Sequence, residues 1–362
     1  MTSTLSVDQD VTESLNVSNV ADTGKISSAV NLYVPPILII SGVICNLLII
    51  ITTRTKYFRS LSTSVYLATG AVNDMLSLLL ALVPHWLYVN FPGIYVRTDS
   101  SHWMCKFFNF YGWGNTDLGI IITSAMTAER ATAIVFPLKS ASMCTRKRAK
   151  IIVGLIIIIV IIKEFHFFIS SDIVPETRTE RLCDVFPQDE SYRIFWLYAW
   201  PWIHLSYLSA CFLLILASNS VIIHQVRRSP ADRIPGVQRW RHIAPMLIGE
   251  SVLLIFLTFP FTLHLSGLAL VLRYDPDFYK DPANMANEKL AFSVTFYMLY
   301  SNKCANFLMY CMTGSRFRQG LLLALSTFCC GNRASRQPFK STIYSTSISM
   351  STIALKSYRT YV

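Results

Sequence analysis

The chain has 362 residues, a formal net charge of +11 and a hydrophobic fraction of 52%, with a mean hydropathy of +0.42. So apolar a composition excludes an ordinary soluble domain and predicts a polytopic membrane protein. Seven apolar stretches, at about 30-53, 62-88, 104-136, 148-171, 194-226, 240-272 and 288-312, are each long enough to cross the ~30 Å hydrocarbon layer as a helix. The predicted fold is therefore an all-α membrane protein, a seven-helix bundle over 30-312. It is preceded by an N-terminal segment (1-29) and followed by a short amphipathic helix (313-330) and a polar tail (331-362).

Residues 1-29 hold no apolar run behind a basic start, so the first span is expected to act as the insertion signal. The connection after it carries Arg54, Lys56 and Arg59, and the one after the third span carries Lys139, Arg146, Lys147, Arg148 and Lys150. Arg227, Arg228, Arg233, Arg239 and Arg241 follow the fifth, and the tail adds further Arg and Lys with no acid. The positive-inside rule then puts these connections and the C-terminus in the cytoplasm and the N-terminus outside, in the plasma membrane. The opposite face is acidic, through Asp8, Asp10, Glu13 and Asp22 and through Asp172, Glu176, Glu180, Asp184, Asp189 and Glu190, which speaks against a nucleic-acid partner. Asn16-Val17-Ser18 is a glycosylation sequon on a segment expected outside.

Most of the nine cysteines fall in spans or on the inner side. Cys105, at the outer start of the third span, and Cys183, in the long outer loop, are the pair placed together in an oxidising compartment, and a bridge between them would pin that loop across the bundle mouth. Ionisable groups at membrane depth are costly and generally paired or functional. Asp74, Asp117, Glu250 and Lys303 are such groups.

Arg130 lies twenty-five residues beyond Cys105, about 37 Å along a helix, at the cytoplasmic boundary. Glu129-Arg130-Ala131 resembles the acid-Arg-aromatic signature of rhodopsin-like G-protein-coupled receptors, with Ala131 in place of Tyr. Gly42 to Asn46, Leu67-Ala68 through Asp74, Phe259-Pro260, Asn306-Phe307-Leu308-Met309-Tyr310 and Phe317 match further landmarks in order. The chain departs from the pattern at Cys211, Thr258 and Phe307. The block Asn306 to Cys311, with Asn219 and Cys144 to Ala149, is most similar to invertebrate neuropeptide receptors of the FMRFamide-receptor-like kind.

The resemblance implies a receptor that couples an extracellular ligand to heterotrimeric G proteins, with no cofactor. Gly112 stands where amine receptors carry Asp and Tyr300 where opsins carry the retinal lysine, so neither ligand class is expected. The outer half instead offers His85, Trp113, Asp117, His204, His264, Phe296 and Tyr300 as pocket candidates, although Trp and Tyr also gather at membrane interfaces as ordinary packing. With acidic outer loops, a short basic and aromatic peptide, such as one with an amidated Arg-Phe ending, fits best. Asp74 matches the family's sodium-binding Asp, with Asn302 and Asn306 as polar partners. Here two readings compete: Lys303 places its ammonium where sodium would sit, paired with Asp74 and with Glu250 as a second partner, or it snorkels elsewhere and sodium binds at Asp74.

At the output end, Glu129 is expected to hold Arg130 at rest and release it on activation, with Tyr310 moving in and Pro260 marking the sixth helix. Trp240 stands where some receptors carry a locking acid. Phe317, Leu321, Leu322, Leu325 and Phe328 recur at helical spacing beside Arg316 and Arg318, as in an amphipathic helix on membrane lipids, and Cys329 and Cys330 are palmitoylation candidates. The Ser/Thr-rich tail suits receptor kinases and arrestin, and Thr360-Tyr361-Val362 resembles a PDZ-binding terminus. A chemosensory or orphan small-molecule receptor is the alternative, and a transporter a more distant one. No metal-ligand cluster, activated nucleophile or phosphate loop marks an enzyme.

Overall fold

The computed structural model describes residues 3-92, 101-175, 181-184, 194-195, 199-228, 244-275 and 277-330. Seven long helical segments are present among them. The first runs Ser3–Thr53, the second Thr63–Asn90 with a π turn over Leu78–Leu82, and the third His102–Val135. The fourth comprises Arg146–Glu164 and a short continuation His166–Ser170; the fifth is Trp200–Arg228, the sixth Ala244–Tyr274 and the seventh Pro282–Thr313. A helix Ser315–Cys330 follows, and strands β1 (Asp172–Pro175) and β2 (Arg181–Asp184) form an antiparallel hairpin between the fourth and fifth helices.

Local chemistry accounts for the ends and irregularities. Thr145 caps the fourth helix by accepting from the Arg148 amide at 3.3 Å, and Asp281 caps the seventh by accepting from Ala283 at 2.8 Å, with Pro282 at the first helical position where its missing N–H costs nothing. The π turn in the second helix directly precedes Pro84, whose ring and absent N–H disturb the regular ladder. The first helix starts far before residue 30, against expectation. Tertiary bonds fix the outer start of the expected span: Tyr297 donates to Asn31 Oδ1 at 2.7 Å, Trp86 to the Leu32 carbonyl at 3.0 Å and Asn90 to the Asn31 carbonyl at 3.0 Å.

Six of the seven helices are long and apolar enough to cross a membrane by length and composition. The seventh has 32 residues, about 48 Å at helical rise. It is less apolar because Asn302 and Lys303 are turned inward and buried. Gly42 permits the first helix to approach its neighbours closely: a Cβ there would collide with Leu78 and come within 2.7 Å of Cys304 Sγ. The largest buried cluster joins Ile49, Tyr66, Met126, Tyr310 and Phe317 near the Arg130 end of the bundle. Phe317, fully buried, packs its ring 5.4 Å from that of Tyr310 and 6.1 Å from that of Phe58. On the eighth helix the apolar residues divide, with Phe317 inward and Leu322 and Leu325 exposed.

The side chains of Asn16, Cys183, Cys329 and Cys330, with all of Trp240 and Val362, lie outside the described residues. Cys105 is fully buried and engaged in a disulfide. Cys183 takes its place on β2 opposite Ile173.

Candidate functional site: a ligand cavity, a buried ion pair and an arginine latch

At the Cys105 end, a cavity of about 350 Å³ is lined by His85, Trp113, His204, Phe296 and Tyr300, with Phe261 and Phe292 completing an aromatic wall. Neighbouring rings fix one another: Phe296 stacks on Phe292 at 5.3 Å and leans on His85 at 4.6 Å, and His204 stacks on Trp200 at 4.8 Å with Trp113 edge-on at 5.2 Å. Such a wall offers π faces to a cation or ring and few rotatable bonds to immobilise. Two expected lining residues lie elsewhere. Asp117, fully buried, turns to the fourth helix and pairs with Lys163 at 2.6 Å, because an ammonium there meets a charge that an aromatic pocket would leave unsatisfied. His264 faces Glu288 of the seventh helix at 3.6 Å.

Below the cavity lies a second, nearly closed space of about 30 Å³, walled by Asp74, Glu250, Asn302, Lys303, Asn306 and Tyr310, room for about one water. Lys303 Nζ sits 3.2 Å from Asp74 Oδ1, and Asn306 donates to Asp74 Oδ2 at 3.3 Å, so both carboxylate oxygens are taken. Gly119 borders the ammonium: a Cβ there would lie in van der Waals contact with it, 3.4 Å from Lys303 Nζ. Asn46 donates to the Lys303 carbonyl at 2.9 Å and fixes the backbone behind it. These residues do not fit a sodium ion at Asp74: the protein's own cation stands there. Glu250, expected as a second partner of Lys303, instead accepts from the Tyr310 hydroxyl. Thr116, Thr258 and Leu299 line both spaces and form the partition between them.

At the far end of the third helix, Arg130 is 2% exposed. Its Nη2 lies 3.1 Å from Glu129 Oε1 and 2.9 Å from Ser62 Oγ. Glu129 accepts in turn from Ser62 at 2.5 Å and from Tyr66 at 2.9 Å. The expected Glu129–Arg130 pair is thus one part of a four-residue latch, joined by two hydroxyls that carry no signal in the sequence, Ser62 just before the second helix and Tyr66 within it. Charge-assisted bonds of this kind are roughly twice as strong as neutral ones.

This order of parts is matched outside the chain as well. Residues 45–310 fit the 7 transmembrane receptor (rhodopsin family) model. The chain belongs to the rhodopsin family of seven-transmembrane receptors. The receptor is 26% identical over 316 residues to C-C chemokine receptor type 3 of Macaca mulatta, covering 83% of this chain and 81% of that one. It is 24% identical over 270 residues to cysteinyl leukotriene receptor 1 of Sus scrofa (73% and 75%), and 24% identical over 306 residues to the FMRFamide receptor of Drosophila melanogaster (78% and 51%). The receptor is accordingly a G-protein-coupled, multi-pass protein of the plasma membrane, with an extracellular ligand and a heterotrimeric G protein as partners. It is not an enzyme.

Proposed function

We propose that the receptor is activated by a short extracellular neuropeptide carrying a basic residue and an aromatic one, with an amidated end. The observation that carries this reading is the aromatic and imidazole wall of the 350 Å³ cavity, which among the described residues holds no carboxylate for a small amine and suits a guanidinium and a ring. The acidic segment before the fifth span and the acidic N-terminal segment favour approach of a cationic ligand. This reading takes the N-terminus as extracellular, the C-terminus as cytoplasmic, and Cys105 as bonded to Cys183. Among relatives of similar identity the FMRFamide receptor supports a peptide, and the chemokine and leukotriene receptors mark the breadth of the family.

Calcium release in cells co-expressing a promiscuous G-protein α subunit tests the ligand class. Amidated Arg-Phe peptides are expected to elicit a response that their neutral and acidic analogues do not. Response to small molecules alone, despite surface expression, contradicts the peptide reading and favours the chemosensory one.

Sodium gives a second expectation. Because Lys303 occupies the place beside Asp74, replacing sodium chloride by choline chloride at constant ionic strength should leave the potency of a peptide found in that screen unchanged. A steep fall with sodium but not with other monovalent cations would show that the ammonium does not hold the site.

A further inference from the structure

A separate ionic cluster joins the third, fourth and fifth helices beside the cavity. Lys163 Nζ lies 2.6 Å from Asp117 Oδ2 and also contacts Glu164 Oε1. Both carboxylate side chains are completely buried, whereas Lys163 and His166 each keep 24% of their side chains exposed. Asp117 Oδ1 and Glu164 Oε2 have no hydrogen-bond partner, and His166 Nε2 stands 3.8 Å from that same Glu164 oxygen. The ammonium is further enclosed by the rings of Tyr207 at 5.1 Å and Trp200 at 6.0 Å.

Two ionised carboxylates and one ammonium leave a net charge of −1 buried in the bundle, and like charges sharing one cation do not both ionise readily. Among the described residues, the other groups around the cluster do not supply the missing positive charge. The fifth helix contributes His204, Tyr207 and Cys211; of these His204 Nδ1 is itself without a hydrogen-bond partner. The second helix also packs on the fourth, but its titratable groups are committed elsewhere: Tyr66 to Glu129, Asp74 to Lys303, and His85 and Tyr88 to the wall of the ligand cavity. At β1 the exposed Asp172 pairs with His102, and the third helix's Lys106 stands near that same carboxylate.

We propose that Asp117 and Glu164, bridged by Lys163, hold one exchangeable proton that His166 passes to and from the extracellular side. In the acidic form Glu164 is neutral and the cluster carries no net charge. In the basic form His166 returns the proton to water, and the cluster places one negative charge behind His204, a wall residue of the ligand cavity. Lys163 is seventeen residues from Arg146 along the fourth helix, about 26 Å, and His166 is four residues short of that span's other end at Ser170, so the cluster lies in the outer half of the membrane in the orientation proposed above, on which the direction of proton access rests.

The test needs neither ligand nor G protein. Apparent melting temperature of the full-length receptor in lipid nanodiscs is measured from about pH 6 to about pH 8. A folded state that retains a proton which a solvated carboxylate gives up loses stability as pH rises, so the wild type is expected to fall by about 3 °C per pH unit. Gln reproduces the protonated form of Glu, so Glu164→Gln should fold and lose this slope, and Asp117→Asn, which leaves one carboxylate for one ammonium, should lose it too. A flat wild-type curve, a slope that survives in either variant, or loss of folding in both overturns the assignment. A flat curve with an intact peptide response would sink the proton site alone, and the converse would sink the peptide reading alone.

Discussion

Asp74→Ala alone is expected to damage the receptor more than removal of both Asp74 and Lys303. The single change strands an ammonium that is only 5% exposed and whose counter-ion is 3.2 Å away; breaking a buried pair in this way costs about 3–5 kcal/mol. Replacing both partners by apolar groups of similar volume removes the uncompensated charge and is often close to neutral. In nanodiscs, Asp74→Ala should melt about 5–10 °C below wild type, and Asp74→Ala/Lys303→Met should recover most of that loss. Equal melting of the single and double variants would show that Lys303 does not depend on Asp74. Asn306 loses its acceptor in both variants, so its contribution cancels from the comparison.

Opening the latch at Arg130 should have the largest effect on signalling. Ser62 both donates to Glu129 and accepts from Arg130, and Tyr66 holds the second Glu129 oxygen, all within a nearly dry site. These bonds tie the third helix to the second, and any rearrangement that frees Arg130 must break them. Bonds to charged groups are worth about 1.5–3 kcal/mol each, so Ser62→Ala/Tyr66→Phe should raise the population of the released state, and with it ligand-independent G-protein activation, by about tenfold or more. Glu129→Gln, which weakens the same contacts by removing their charge, is expected to act in the same direction. Basal nucleotide exchange that stays at the wild-type level in the double variant would mean that these hydroxyls pack the helix end without restraining Arg130.

The parts that were legible in the sequence are those whose signal is charge in an apolar setting. Asp74 and Lys303 stand out because neither belongs at membrane depth alone. Glu250 was recognised as buried but assigned the wrong neighbour: spacing cannot reveal that Tyr310, one helix away, presents a hydroxyl to it. Ser62 and Tyr66 escaped notice because neutral hydroxyls at a helix end carry no signal until the third helix brings Glu129 against them. Lys163, Glu164 and His166 were overlooked for another reason. They close an isoleucine-rich run, where charges read as the ordinary end of a span, and only the packing of Asp117 against them shows that both acids are buried. The seventh span was legible from length, but its inward-facing Asn and Lys residues make it less apolar than the other six.

Contiguous packing offers a route from cavity to latch. Thr116, Thr258 and Leu299 separate the ligand cavity from the ionic space, and Pro260, two residues beyond Thr258, lies inside the sixth helix, where its missing N–H weakens the backbone ladder. A ligand pressing on that partition would bear on the Lys303–Asp74 pair and on the Glu250–Tyr310 contact together. Release of Tyr310 from Glu250 and of Arg130 from Glu129 would then be two ends of one rearrangement, a two-state element of the kind that ligand binding can bias.

The most direct measurement of this account is nucleotide exchange on a purified G-protein heterotrimer by nanodisc-embedded receptor, with a peptide agonist from the calcium screen, for wild type and Arg130→Ala side by side with binding of the labelled peptide. The account predicts that Arg130→Ala binds the peptide within a few-fold of wild type and loses essentially all peptide-driven exchange. Exchange retained in the variant, with binding intact, would contradict the assignment of Arg130 as the group through which the receptor reaches its G protein.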